Sequence, residues 1–181
     1  FLPTLLEAIQ RKKKVWFVYT SFIKGQGKPR KVSPLFLKEY RNRWYLISYD
    51  PSQNDIRTYA LDRMEDPKIL EDEQITPKGF DADTYFQNAM GITSYKGEAK
   101  KIVIKVDEIA SKYIKSQPIH HSQAVLKEAK DGTYFELKLL LSEELIRTLL
   151  SYGGEIEIIE PQDLKKALKE RIMAMNKRYD L

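Results

Sequence analysis

Arginine and tyrosine mark the positions at which this chain could do chemistry. Trp44-Tyr45-Leu46 follows directly on Arg41 and Arg43, and Arg57, Tyr59 and Arg63 come from the next stretch. Guanidinium groups grip phosphate bidentately, and aromatic rings stack on nucleobases. Alternation along a strand puts Arg43, Tyr45, Ile47 and Tyr49 on one face, and Arg57, Tyr59, Leu61 and Arg63 share a parity on the next strand. Where those faces adjoin, two or three guanidinium groups flank one tyrosine, which suits a nucleotide or a short single strand. The plainer alternative makes the aromatics core and pairs the arginines with Asp50, Asp55 and Asp62. Trp44 is expected in the core, because its parity matches Leu46.

Other chemistries lack their residues. Gly25-Gln26-Gly27-Lys28 resembles a scrap of a phosphate loop, but Pro29 stands where Ser or Thr is required and the glycine spacing is wrong. His120-His121 is the histidine pair of the chain, and neighbours on a strand point to opposite faces, which disfavours a shared metal. Asp62, Glu65 and Asp66 enclose Arg63 and read as a salt-bridged turn. There is no cysteine, hence no thiol nucleophile, disulfide or Cys-ligated metal. No catalytic constellation, metal set or cofactor motif emerges, so the expectation is a protein that is not an enzyme.

Charge is unevenly placed. Residues 1–49 hold 11 Lys/Arg against 2 Asp/Glu, residues 50–97 hold 5 against 10, and residues 98–181 hold 15 against 14. A basic first quarter attracts polyanions, or is a solvated face. With 181 residues, 42% hydrophobic and 31% charged, the composition is that of a folded protein of one large or two small domains. No apolar run approaches the roughly 18 residues of a membrane span, and no signal peptide is recognised. A reducing cytoplasm fits the missing cysteines. The first residue is Phe1 and not Met, as in a piece of a longer protein.

Periodicity supplies the elements that must position these residues. Leu5, Leu6 and Ile9 have helical spacing behind Thr4, a candidate N-cap, and the helix runs out in Arg11-Lys12-Lys13-Lys14. Residues 24–29 read as a basic loop. Strands are expected at 15–19, 31–38, 43–49 and 55–61, with Met64 to Leu70 as a fifth, held to an edge or a bulge by Pro67. That spacing suggests a small barrel or sandwich. Asp83 is expected to cap a short helix bearing Tyr85, Phe86 and Ala89, closed by Gly91, with residues 91–97 as a linker. Beyond it, strands at 101–106, 123–130, 133–141 and 155–159 alternate with helices capped by Asp107 and Ser142, and Asp131-Gly132 marks a hairpin. A last helix carries the stripe Leu164, Leu168, Ile172, Met175 and Tyr179. The order βαββαβ plus a terminal helix is the ferredoxin-like pattern.

The ordered motifs resemble the WYL-domain family of bacterial transcriptional regulators. The matching pieces are Leu5-Leu6-Glu7-Ala8-Ile9, a strand closing in Tyr19, Val32-Ser33-Pro34, Trp44-Tyr45-Leu46 and the run Arg57 to Arg63. Phe80-Asp81, Tyr85-Phe86 and Gly91-Ile92 are similar to the segment after the family's barrel, and residues 151–161 to its C-terminal extension, WCX. The resemblance implies an α+β protein. An SH3/Sm-like small β-barrel over 1–79 is expected, then a short helix and linker over 80–98, then a ferredoxin-like extension over 99–181. It implies a sensing and oligomerising module, a homodimer in the cytoplasm, away from any membrane. Operator DNA would be reached through a helix-turn-helix domain that this sequence does not contain. By the same resemblance Tyr19, Arg30, Ser33, Tyr45, Arg57 and Arg63 bind the ligand, a nucleotide or single-stranded nucleic acid, with Lys31 and Arg43 in reserve. A dimerisation module without a ligand is the alternative.

Overall fold

The computed structural model describes residues 1–22, 25–93 and 97–179; Lys24 of the expected basic loop and residues 94–96 of the expected linker lie outside them. The chain is mixed α+β and divides into two compact units, Phe1–Gln87 and Asn88–Leu181.

In the first unit, helix α1 (Leu2–Gln10) starts at Phe1, with Pro3 in its first turn, so Thr4 lies inside the helix and does not cap it. Its buried Leu5 and Ala8 lie on a core that also holds Val15, Phe17, Val32, Leu46, Tyr59 and Met64. Strands β1 (Lys13–Thr20), β2 (Gly27–Tyr40), β3 (Arg43–Asp50), β4 (Asp55–Ala60) and β5 (Met64–Glu73) follow. Gly27, Lys28 and Pro29 thus belong to β2, not to a loop. All pairings are antiparallel, in the order β4-β3-β2-β1-β5.

The long strand β2 organises this sheet. Its first half pairs with β1 and its second half with β3, and a register shift separates Pro34 from Phe36. Proline has no N–H for the ladder, so a break beside it is expected. A second irregularity falls in β5, where Asp66 has φ 49° just before Pro67 and the register to β1 slips. Among the described residues no ladder joins β4 to β5. The expected small barrel is therefore corrected to an open five-stranded sheet with those two strands as its edges. A two-residue turn at Arg41 and Asn42, both with positive φ, closes the β2–β3 hairpin.

The acidic stretch neutralises much of the basic one. Lys13 meets Glu73 at 2.7 Å and Lys31 meets Asp72 at 3.0 Å. Residues 82–88 form successive turns, not the expected helix. Asp81, not Asp83, is the capping residue there: its carboxylate accepts from the Asp83 amide and from the Thr84 hydroxyl, both at 3.0 Å. Phe80, Tyr85 and Phe86 instead gather around Phe36 with centroids 5.9–6.4 Å away.

The second unit is built from β6 (Lys100–Val106), α2 (Glu108–Ser116), β7 (Ala124–Ala129), β8 (Gly132–Leu139), α3 (Glu143–Leu150), β9 (Ile156–Glu160) and α4 (Gln162–Arg178). Its antiparallel sheet has the order β7-β8-β6-β9. Alternating Ile102, Ile104 and Val106 of β6 and Phe135, Leu137 and Leu139 of β8 are buried with Ile114, Leu145, Leu149 and Leu164. Asp107 and Ser142 cap α2 and α3 through the amides of Ala110 (2.8 Å) and Leu145 (3.1 Å), as expected. The stripe of α4 is packed only in part. Leu164 is buried and Leu168 half-buried, whereas Ile172, Met175 and Tyr179 are 51%, 51% and 73% exposed.

Candidate anion site on the five-stranded sheet

Register decides which side chains meet. Phe17 pairs with Arg30, Leu46 with Tyr59 and Ser48 with Arg57. Directly opposed residues of an antiparallel pair share a face, so Arg30 and Arg57 lie on the faces that carry Phe17 and Tyr59. Tyr45 pairs with Ala60 and is buried on the opposite face of β3. The face of Tyr45 and the face of Tyr59 therefore do not adjoin, and the aromatic residues gathered with the arginines are Tyr59 and Tyr19.

These rings pack edge to face. Tyr19 and Tyr59 are 4.9 Å apart between centroids, and Phe17 is 5.2 Å from Tyr59. The Tyr19 hydroxyl oxygen accepts from the Ala60 amide at 3.3 Å. Burial pushes the Tyr59 phenol well above its ordinary range; the Asp50 carboxylate adds to the rise and the Arg30 and Arg57 charges oppose it. Tyr19 is raised chiefly by burial, against its bond from Ala60 and the nearby charge of Arg63.

The arginines fall into two groups. Arg57 is exposed, donates to Gln53 Oε1 at 2.6 Å and lies 3.5 Å from Asp55. Arg43 lies 3.6 Å from Asp62. Buried Asp50 is held by neutral donors: the Ser52 amide (3.0 Å) and hydroxyl (2.6 Å), with Gln53 Nε2 and the Tyr59 hydroxyl at 3.4 Å. Arg30 and Arg63 differ. Each has an Nε shielded from solvent with no hydrogen-bond partner among the described residues. The Arg63 guanidinium carbon stands 5.3 Å from the Tyr19 ring centroid and 4.6 Å from that of Phe22. The alternative of arginines spent on carboxylates thus describes Arg43 and Arg57, not Arg30 and Arg63.

The remaining expected residues have other neighbours. Ser33 is buried and its hydroxyl accepts from the Ile75 amide at 2.9 Å, tying down the chain after β5. Lys31 is paired with Asp72. Trp44 is corrected from core to surface: it is 42% exposed and lines an open cleft of about 460 Å³ with Leu2, Arg43 and Asp62. Its parity does match Leu46, but it sits at the end of β3, beyond the packed core. Sequence reasoning missed Phe22, which lies outside any alternating pattern, and Ser48, whose buried hydroxyl has no partner among the described residues. Among the described residues no group of three His, Asp or Glu could hold a metal ion.

The chain thus consists of a five-stranded antiparallel sheet carrying arginines beside tyrosines, followed by a separate βαββαβ unit. A family model for the WYL domain matches residues 1–69 and one for the WCX domain matches residues 98–175. The chain belongs to the WYL-domain family, with a WYL domain followed by WCX. It is 29% identical to the uncharacterized HTH-type transcriptional regulator YobV of Bacillus subtilis, over 96% of this chain and 54% of that protein. It is 23% identical to Protein PafB of Mycobacterium tuberculosis, over 96% of this chain and 52% of that protein. The crystal structure of a CRISPR Cas-related protein shares the fold at TM-score 0.55 and 12% identity, covering 98% of this chain and 50% of that one. The chain spans about half the length of the curated relatives it matches. Among the described residues no helix is long and apolar enough to cross a membrane.

Proposed function

We propose that this chain is the ligand-sensing and oligomerising part of a bacterial transcriptional regulator, and that its first unit binds a nucleotide or a short single-stranded nucleic acid. The reading takes the first unit as SH3/Sm-like in strand order and the second as ferredoxin-like. One observation carries it: Arg63 lies over the Tyr19 ring of the Tyr19–Tyr59 pair, the charge of Arg30 acts on Tyr59, and neither Nε has a partner among the described residues. A guanidinium not committed to a carboxylate keeps its outer N–H groups for an incoming phosphate, which can take them bidentately. Arg57 is proposed as an outer contact, because Gln53 and Asp55 already engage it. Tyr45 and Ser33 are proposed as supports behind the site.

Binding would act on transcription by favouring one of two arrangements of the regulator, through a difference in ligand affinity between them. DNA reading belongs to a helix-turn-helix domain outside this sequence, and the relative YobV is named for one. The module acts in the cytoplasm, without catalysis of its own. Anisotropy titration of a labelled short oligodeoxynucleotide at low and high salt tests the reading. Affinity should fall steeply with salt, as phosphate-dominated binding does. Binding that is absent, or indifferent to salt, would sink it. Dimerisation without a ligand is favoured by a separate observation, the exposed Ile172, Met175 and Tyr179 of α4.

A further inference from the structure

Phe22 is an exposed aromatic residue that packing does not explain. It lies just past β1 and is 74% exposed, so it contributes little to the core. Its ring stands over the Arg63 guanidinium, 4.6 Å from centroid to carbon. A phenyl ring accepts no conventional hydrogen bond, so Phe22 does not use up the N–H groups at the outer end of Arg63 while it remains beside them.

We propose that Phe22 is the base-stacking surface of the anion site, so that the site selects phosphates carrying an unpaired nucleobase over base-free polyanions. This inference rests on the reading of Arg30 and Arg63 as phosphate contacts and adds the residue that holds the base. Arginines alone hold any polyanion through charge. In a nucleotide the base hangs one sugar away from its phosphate, and a ring beside the phosphate-binding cation is where that base can lie flat. Every base has a π-face, so such stacking tolerates sequence but requires the base to be free of a duplex. Tyr19 does not offer this surface. Its ring is packed edge to face against Tyr59, and its hydroxyl holds the Ala60 amide.

Two fluorescent oligomers of equal length and charge provide the test on the intact chain: an oligothymidylate and a chain of abasic deoxyribose phosphates. Wild-type protein should prefer the thymidylate about tenfold. Phe22→Ala should erase that preference by weakening thymidylate binding alone, Phe22→Trp should keep it, and Arg63→Ala should weaken both oligomers. A Phe22→Ala protein that keeps the wild-type preference, or weakens both oligomers equally, overturns the inference. The anion reading survives that result if Arg63→Ala still weakens both. If the wild-type chain binds neither oligomer, the two readings fall together.

Discussion

The Arg63 guanidinium lies over the ring of Tyr19 at 5.3 Å, while the hydroxyl of that same tyrosine accepts from the amide of Ala60, three residues before Arg63. One side chain of β1 therefore fixes both the end of β4 and the cation that follows it. The aromatic ring is structural scaffold and electrostatic neighbour at once, because it packs T-shaped with Tyr59 and its π-face attracts the cation.

Removing Arg30 and Arg63 together (Arg30→Ala with Arg63→Ala) should abolish oligonucleotide binding while leaving the melting temperature nearly unchanged. Neither Nε has a partner to lose among the described residues, and the contacts of Arg63 with the Tyr19 and Phe22 rings are worth only about 1 kcal/mol. Each single variant should lower the salt slope of binding by about one. Arg57→Ala should weaken binding less, since Gln53 and Asp55 already hold that group. Anisotropy and thermal melts on the same samples check both halves; loss of folding would make the arginines structural.

Alkaline pH should unfold the protein through its buried phenols. Folded Tyr59 and Tyr19 are held above their ordinary value, chiefly by burial, whereas the unfolded chain releases these protons from about pH 10. The folded state therefore binds more protons than the unfolded state there. The stability this gives is complete below about pH 10 and is lost as pH rises toward the folded values. Urea melts from pH 8 to 11 should show the decline, and Tyr59→Phe should make it shallower. An unchanged slope in that variant would remove Tyr59 as the cause.

Gly132→Ala should destabilise the second unit by about 2 kcal/mol or more. Gly132 has φ 133°, and a Cβ there would lie 2.5 Å from the Val106 carbonyl oxygen, a backbone atom of the paired strand. Ser142→Ala should cost about 1 kcal/mol by freeing the Leu145 amide at the start of α3. Urea denaturation followed by circular dichroism measures both, and equal effects of the two substitutions would contradict the difference in cause.

Replacing Ile172 and Met175 by lysine should leave the melting temperature of the monomer unchanged, because neither side chain belongs to the buried core. If α4 joins two copies of the chain, sedimentation velocity should shift from dimer to monomer while oligonucleotide affinity per chain is retained. A dimer that persists through both substitutions would move the interface elsewhere.

Much of the architecture was legible before folding. Alternating Ile102, Ile104 and Val106, the caps Asp107 and Ser142, the Asp131-Gly132 turn and the break at Pro67 are local signals, and each has its expected role in the folded chain. The ordered motifs from Leu5 to Pro161 also carried the family, which the WYL and WCX matches show. Local chemistry suffices for these features because capping, turn formation and strand alternation depend on residues only a few positions apart.

The make-up of the candidate site was not legible in that way. A period of two assigns side chains to faces but not the pairing between strands, and one step of register exchanges Tyr45 for Leu46 opposite Tyr59. The number of basic residues in the first quarter was plain, yet only folding brought Glu73 to Lys13 and Asp72 to Lys31 while leaving the Nε atoms of Arg30 and Arg63 without partners among the described residues. The same holds for Trp44, whose parity was right but whose place at a strand end put it beyond the core, and for α4, whose apolar stripe outruns the surface it packs on. Composition and periodicity settle what each element is. Which cation keeps its charge free, and which ring stands beside it, depends on neighbours tens of residues away that only the folded chain brings together.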